Sequence, residues 1–187
     1  RVALNYGINS NSAIYGSVSS GFSPPTIDEV RTNEGSLNLD LEAEKGVNYE
    51  IGYRIGKGKL NLDVATYYFK LDQTITTFTN SQGVVLFRNA GSTDQKGIEA
   101  ALDYAFVRNG QGFIQDLSFG TAYTGQFFTF KNYQKRADDF SGNALTGVPE
   151  TTLVSRIDFR TKFGIYLNFT HQYVSELPLN DANTVYQ

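Results

Sequence analysis

Apolar and polar residues alternate along most of this chain with a period of two, the spacing of a β-strand with one apolar and one wet face. Eight runs show it. Val2 to Ile8 sets Val2, Leu4, Tyr6 and Ile8 on one side and Ala3, Asn5 and Gly7 on the other. Ala13 to Phe22 gathers Ile14, Gly16, Val18 and Phe22 on one face, with Tyr15 opposite them. From Val47 to Arg54, the residues Val47, Tyr49, Ile51 and Tyr53 alternate with Asn48, Glu50, Gly52 and Arg54. Further runs span Leu60 to Leu71, Gly97 to Val107, Leu117 to Phe127, Thr151 to Arg160 and Gly164 to Tyr173. No helical period competes with them, and the 26 aromatic residues (14 Phe, 12 Tyr) and 18 Gly suit strands and turns.

The connections alternate as well. They are short at Asn9 to Ser12, Gly56 to Lys59, Arg108 to Asp116 and Thr161 to Phe163. They are long at Ser23 to Gly46, Asp72 to Lys96 and Phe130 to Glu150, and the chain ends in the long Val174 to Gln187. Short turns on one side and long loops on the other mark a membrane barrel. Strands of about ten residues, rising about 3.3 Å each and tilted near 45°, cover roughly 23 Å, close to the roughly 25 Å apolar band of such a barrel. Strands of a β-sandwich, which would show the same alternation, are shorter. Pro24, Pro25, Pro149 and Pro178 all fall on the long-loop side, where no ladder hydrogen bond is lost. Tyr67, Tyr68, Phe69, Phe127, Phe128, Phe130 and Tyr173 gather at the same end and are expected to form an interfacial girdle.

The phase of the loops adds an expectation. The first run leads into a short turn and the eighth into a long segment, so both chain ends lie on the long-loop side, whereas a complete bacterial barrel keeps its termini on the other. The expected fold is all-β: an antiparallel up-and-down transmembrane β-barrel segment, with residues 1–187 forming one internal part of a larger barrel. A chain that starts at Arg1 and holds no Met is expected to be a mature product or an excised fragment.

Composition changes this picture only by exclusion. At 187 residues, 40% hydrophobic and 19% charged, the chain is too apolar to be disordered. Its net charge of -3 is spread without a basic cluster, which sets nucleic acid aside as a partner. No window approaches 18 consecutive apolar residues, a result that is silent about barrels. The absence of Cys excludes a disulfide scaffold and cysteine-ligated zinc.

Four stretches carry a resemblance. "GFSPPTIDEV" (Gly21 to Val30) ends a strand in Gly-Phe and continues through proline to acidic residues. "LNLDLEAEKGVNYEIGYR" (Leu37 to Arg54) holds Asn38, Leu41 and Glu44 and then Tyr49, Glu50 and Gly52. "NAGSTDQKGIEAAL" (Asn89 to Leu102) runs from Asn89 and Gly91 to Gly97 and Glu99, and "LTGVPETTL" (Leu145 to Leu153) places Val-Pro at the entry to a late strand. In this order they resemble TonB-dependent outer-membrane receptors. The pattern departs at Ala43, where the family commonly has Pro, and at Ser23, where it commonly has Arg. The family's plug domain, TonB box and closing strands have no counterpart in these residues.

The resemblance implies a bacterial outer-membrane barrel of about 22 strands with a plugged lumen. It implies import of a scarce nutrient, first a ferric siderophore, with haem, cobalamin, carbohydrate or peptide as other cargoes, driven by the TonB system acting on the plug. The implied partners are that small-molecule substrate, the protein's own plug domain, TonB and outer-membrane lipid; no cofactor and no enzymatic activity are implied. Two readings stay beside it: a passive or adhesive outer-membrane barrel without a plug, and a soluble β-rich extracellular binding module.

Candidate residues fall in two groups. Glu50, Arg54, Glu99, Asp103, Arg156, Asp158 and Arg160 share the polar faces of their strands and would face the lumen, where they could meet a plug or simply pair within a solvated interior. Arg31, Arg88, Lys131, Tyr133, Lys135 and Arg136 lie in the long loops and could clasp an anionic chelate, although exposed loops carry such residues in any case. His171 is the only histidine and has no spacing partners for catalysis or a metal, and Asp138 with Asp139 reads as a solvated loop pair.

Overall fold

The computed structural model describes residues 1–31, 37–79, 85–89, 91–135 and 138–187. Eight long strands make one antiparallel sheet. They are β1 (Val2–Asn9), β2 (Ser12–Ser23), β3 (Glu44–Lys57), β4 (Leu60–Asp72), β7 (Ser92–Val107), β8 (Ile114–Phe130), β11 (Thr151–Thr161) and β12 (Tyr166–Val174). Each pairs with the next in this order, so the sheet is an up-and-down meander with β1 and β12 at its edges. Between them lie a one-turn helix α1 (Ile27–Val30), the hairpin β5 (Ile75–Thr79) with β6 (Val85–Asn89), and the two-residue strands β9 (Gln134–Lys135) and β10 (Asp138–Asp139). All eight predicted runs are strands, and the short and long connections fall as the spacing predicts.

The register fixes which side chains share a face. Leu4 opposes Gly16, which opposes Ile51, which opposes Thr66, which opposes Ile98, and the row continues through Gly125 to Thr151. One residue along, Ser17, Glu50, Tyr67, Gly97 and Gln126 form a row on the opposite face. The first face is apolar and uncovered: Leu4 is 78% exposed and Phe169 64%. Among the described residues the only buried hydrophobic side chains are Ala65, Ala105 and Tyr133. A water-soluble sheet protein needs a second layer to cover its apolar face, and nothing in this single sheet does so. In a transmembrane β-barrel segment the apolar face is the outer one and the polar face the inner one.

Register irregularities lie at the short-turn ends, between Gly7 and Asn9, Ala105 and Val107, and Arg160 and Thr161. Bulges there raise local twist where the strands turn back.

Three features differ from the expectations. The aromatic residues at the long-loop end do not form one girdle. Tyr68, Phe127 and Tyr173 lie in outer rows, whereas Tyr67, Phe69, Phe128 and Phe130 lie in inner ones, because neighbouring positions of a strand point to opposite faces. Residues 72–96 are not all connection, since β5–β6 and the first turns of β7 lie inside them. Finally, the acidic continuation of "GFSPPTIDEV" is helical for one turn. Thr26 caps α1, with the Thr26 hydroxyl accepting from the Glu29 N–H at 3.4 Å and Glu29 Oε2 accepting from the Thr26 N–H at 2.6 Å. The Thr-x-x-Glu spacing carries that signal in the sequence. Thr26→Ala is expected to cost about 1 kcal/mol of local stability, seen as faster amide exchange confined to α1.

Candidate functional site

The inner wall carries a ladder of ion pairs that cross from strand to strand. On β3 and β4, Arg54 Nε donates to Asp63 Oδ2 at 2.6 Å, and the Arg54 guanidinium stands 5.1 Å from the centre of the Tyr15 ring on β2. The Tyr15 hydroxyl donates to Asp63 Oδ1 at 3.3 Å, closing the group. Farther round, Arg156 on β11 reaches Asp103 on β7 at 3.5 Å, although β8 lies between them. Gly120 makes this possible, because a Cβ there would stand 2.7 Å from Asp103 Oδ1 and 3.5 Å from Arg156 Nη2. Arg156 Nε also pairs with Asp158 at 2.8 Å, and Asp158 accepts from Tyr166 and Asn168 of β12, each at 2.7 Å. Arg160 grips Asp116, which also accepts from the Asn109 N–H at 3.0 Å.

Five of the inner-wall candidates are thus engaged with one another or with inner-face neighbours: Arg54, Asp103, Arg156, Asp158 and Arg160. Glu50 and Glu99 are not. Among the described residues neither carboxylate accepts a hydrogen bond nor forms a salt bridge; Glu50 opposes Tyr67 of β4, whereas Glu99 opposes Ala65, one inner row nearer the short-turn end.

Rings and glycines are matched on this face. A Cβ at Gly52 would meet the Tyr15 ring at 2.2 Å, one at Gly97 the Tyr67 ring at 2.3 Å, and one at Gly46 the Phe69 ring at 2.4 Å. The end of each ring lies over the bare backbone of the adjoining strand, so aromatic bulk is accommodated beside a glycine.

The long loops are stitched together just above this wall, and the residues that carried the family resemblance are the ones that stitch them. Asn38 Nδ2 donates to the Phe87 carbonyl at 3.1 Å. Asn89 accepts from the Glu42 N–H at 2.7 Å and donates through Nδ2 to the Glu42 and Gln73 carbonyls at 2.8 and 2.7 Å. Glu44 Oε1 accepts from the Ile75 N–H at 2.8 Å. The connection after β2 is thereby held to the β5–β6 hairpin. The hairpin is in turn tied to the connection after β8 by Arg88, which donates to the Gln134 carbonyl at 2.7 Å, and by the close approach of Gly91 to Asn132. Asn89→Ala removes three of these bonds and leaves the Glu42 N–H without its acceptor. The expected result is a hairpin opened to proteolysis between residues 72 and 92, since three hydrogen bonds of about 0.5–1.5 kcal/mol each are at stake.

The third long connection is tied to the C-terminal segment. Asp181 accepts from the Tyr133 hydroxyl at 3.2 Å and the Thr146 hydroxyl at 2.8 Å, while Asn183 and Ala144 exchange hydrogen bonds of 2.7 and 3.0 Å. Tyr133 stacks on Phe130 with ring centres 4.6 Å apart and leans on Phe140. Expected as a ligand-clasping ring, it is only 4% exposed and supports the loops from within. Ser141, through its hydroxyl and its N–H, holds the Asp139 carboxyl below the usual carboxylate range, which favours this turn above the ordinary carboxylate pKa and loosens it as pH falls.

Of the other loop candidates, Arg31 is exposed at the end of α1 and Lys131 lies 3.6 Å from Asp94. The Lys135 side chain and Arg136 lie outside the described residues. His171 sits in an outer row opposite Ser155. Among the described residues no group of three His, Asp or Glu could hold a metal.

A single-layer antiparallel meander with an apolar outer face, a charge-paired inner face and cross-linked loops at one end is a segment of the wall of a transmembrane β-barrel. The profile of the family described as "TonB dependent receptor-like, beta-barrel" matches residues 1–187, and the chain belongs to that family. The family is one of receptors and transporters, not enzymes. Over 110 residues, 57% of this chain, it is 26% identical to the Pesticin receptor of Yersinia enterocolitica, of which the match covers 16%. Its fold is that of the ferric yersiniabactin uptake receptor FyuA from Yersinia pestis, with a TM-score of 0.73, 22% identity, and coverage of 99% of this chain and 27% of that one. The siderophore receptor PiuA from Acinetobacter baumannii is similar with a TM-score of 0.72, 17% identity, and coverage of 98% and 27%. The chain therefore spans about a quarter or less of the relatives it matches.

Proposed function

We propose that this chain forms part of the wall and external loops of a bacterial outer-membrane importer, which captures a ferric siderophore outside the cell and passes it through a plugged lumen under TonB drive. The observation that carries the reading is the division among the inner-wall acids. Asp63, Asp103, Asp116 and Asp158 are neutralised by arginines or by hydroxyl and amide donors of the wall itself, while the carboxylates of Glu50 on β3 and Glu99 on β7, one strand and one inner row apart, have no salt-bridge or hydrogen-bond partner among the described residues. Two uncompensated carboxylates facing an enclosed space are suited to a cationic group brought from outside the sheet, and a plug domain of the same protein supplies it. A passive channel has no need of that arrangement.

Siderophore as cargo is supported by the relatives, whose names record pesticin, ferric yersiniabactin and siderophore receptors. The chelate is anionic, and Arg31, Arg88, Lys131, Lys135 and Arg136 in the loops are the proposed cations for it, above the ring support that Tyr133 provides. The test is uptake of labelled ferric siderophores by cells lacking the full-length gene, with and without its restoration. Loss of uptake of one chelate, restored by the gene only when TonB is present, is the expected result. Unchanged uptake of every ferric chelate tried would remove the siderophore reading, and uptake independent of TonB would favour the passive barrel.

A further inference from the structure

A groove of about 780 Å³ runs diagonally over the outer face of β1, β2, β3, β4 and β7. Leu4, Gly16, Ile51, Thr66 and Tyr68 are among its lining residues, and Lys96 closes it at the long-loop end. Its volume lies within the about 300–1,000 Å³ of small-molecule sites. We propose that it binds one phosphorylated acyl lipid of the leaflet at the long-loop end, with the acyl chains over Gly16 and the phosphate on Lys96. The proposal rests on the reading that the outer face meets a bilayer.

Two independent observations point to this occupant. The first is Gly16. Gly46, Gly52 and Gly97 of the inner face lie under rings, but a Cβ at Gly16 on the outer face would meet nothing nearer than the Glu50 carbonyl oxygen at 3.5 Å, an ordinary contact. Its backbone shows no positive φ. Neither sterics nor conformation demands a glycine there, and what its bare backbone leaves is the floor of the groove.

The second is charge. Around the mouth of the groove, on the outer rows and their loop-side continuation, lie Lys45, Lys70, Lys96 and Lys131 against Glu42, Asp72 and Asp94. Lys45 pairs with Glu42 at 3.7 Å, Lys70 with Asp72 at 2.8 Å, and Lys131 with Asp94 at 3.6 Å. Asp94, two residues from Lys96 on the same strand, also accepts from the Tyr68 hydroxyl at 2.7 Å. Lys96 is left with no carboxylate within 4.0 Å among the described residues, its ammonium 5.6 Å from the centre of the Tyr68 ring. The patch thus carries one uncompensated positive charge at the place where an apolar groove meets the polar end of the barrel. A phosphate held there gains a charge-assisted bond at the membrane interface, and the chains below it fill space that the wall leaves open. A snorkelling lysine alone would need no groove.

The test uses the full-length receptor, extracted and purified in detergent, incubated with dipalmitoyl phosphatidic acid or dipalmitoylglycerol and passed through gel filtration. Wild type is expected to retain phosphatidic acid at least tenfold better than diacylglycerol. Lys96→Gln is expected to lose that preference, Lys96→Arg to keep it, and Gly16→Leu to lower retention of both lipids. Equal retention of the two lipids by wild type and Lys96→Gln overturns the proposal, as does inorganic phosphate displacing nothing at concentrations far above that of the lipid while Lys96→Gln still prefers phosphatidic acid. If Gly16→Leu does not fold, the three Lys96 measurements decide. A receptor that stays soluble without detergent would instead refute the barrel reading itself, so the two failures are distinguishable.

Discussion

Gly91→Ala is expected to cripple the receptor more than a methyl group added at any other described glycine. Gly91 has φ of +75°, where an L side chain costs about 1–2 kcal/mol. The larger penalty is steric: the new Cβ would lie 1.8 Å from the Asn132 carbonyl oxygen, a backbone atom that can move only with its loop. The connection after β8 must then part from the β6–β7 corner, breaking the contact in which the Lys131 N–H donates to the Ser92 carbonyl at 2.8 Å. Ligand affinity of the full receptor should fall at least tenfold, with the sheet intact by circular dichroism and protease sites newly open near residue 132. Gly97→Ala is the comparison. There the clash is with the far end of the Tyr67 ring, which can swing into the lumen, so its effect should be clearly smaller. Equal and mild effects for both would mean that the loops are not clamped at Gly91.

The second large effect concerns transport and not capture. Replacing Glu50 and Glu99 together by glutamine keeps the size of both side chains and removes both charges. If a cationic group of the plug docks there, each charge-assisted contact is worth about 1.5–3 kcal/mol, and uptake should change at least tenfold while ligand affinity at the loops stays within about twofold. Asp103→Asn is the control. Its partner Arg156 keeps Asp158 at 2.8 Å, and the Asp103–Arg156 pair is solvent-exposed, so at most about 1 kcal/mol is involved. Normal uptake by the double variant would reduce Glu50 and Glu99 to members of a hydrated lumen surface.

The sheet was legible because lipid on one side and water on the other impose alternation, and each of the eight runs records it. Legibility stopped where the strands leave the apolar band. Ser92 to Lys96 reads Ser-Thr-Asp-Gln-Lys, without one apolar residue, yet it continues β7, because pairing with β4 and β8 holds it. The five-residue strands β5 and β6 were hidden for another reason: Ile75-Thr-Thr-Phe-Thr79 and Val85-Leu-Phe-Arg-Asn89 carry apolar residues but no alternation of period two. For the site, the sharing of one sheet face by Glu50, Arg54, Glu99, Asp103, Arg156, Asp158 and Arg160 followed from parity alone. Their pairing did not, since which arginine reaches which acid depends on register between strands up to about fifty residues apart and on Gly120 lying between two of them. Tyr133 misled for a related reason: a loop residue with an amphipathic ring reads as exposed, and only its stacking on Phe130 and Phe140 shows that the loop has a small core of its own.

The rings laid over Gly52, Gly97 and Gly46 give the inner wall a low relief. A surface without knobs offers nothing for a seated body to interlock with, so whatever rests against it is held at separate charged points and meets little mechanical resistance between them. On the proposed reading of a plugged lumen, such a wall would act as a bearing, holding a plug at a few polar anchors and letting it slip once those anchors are pulled free.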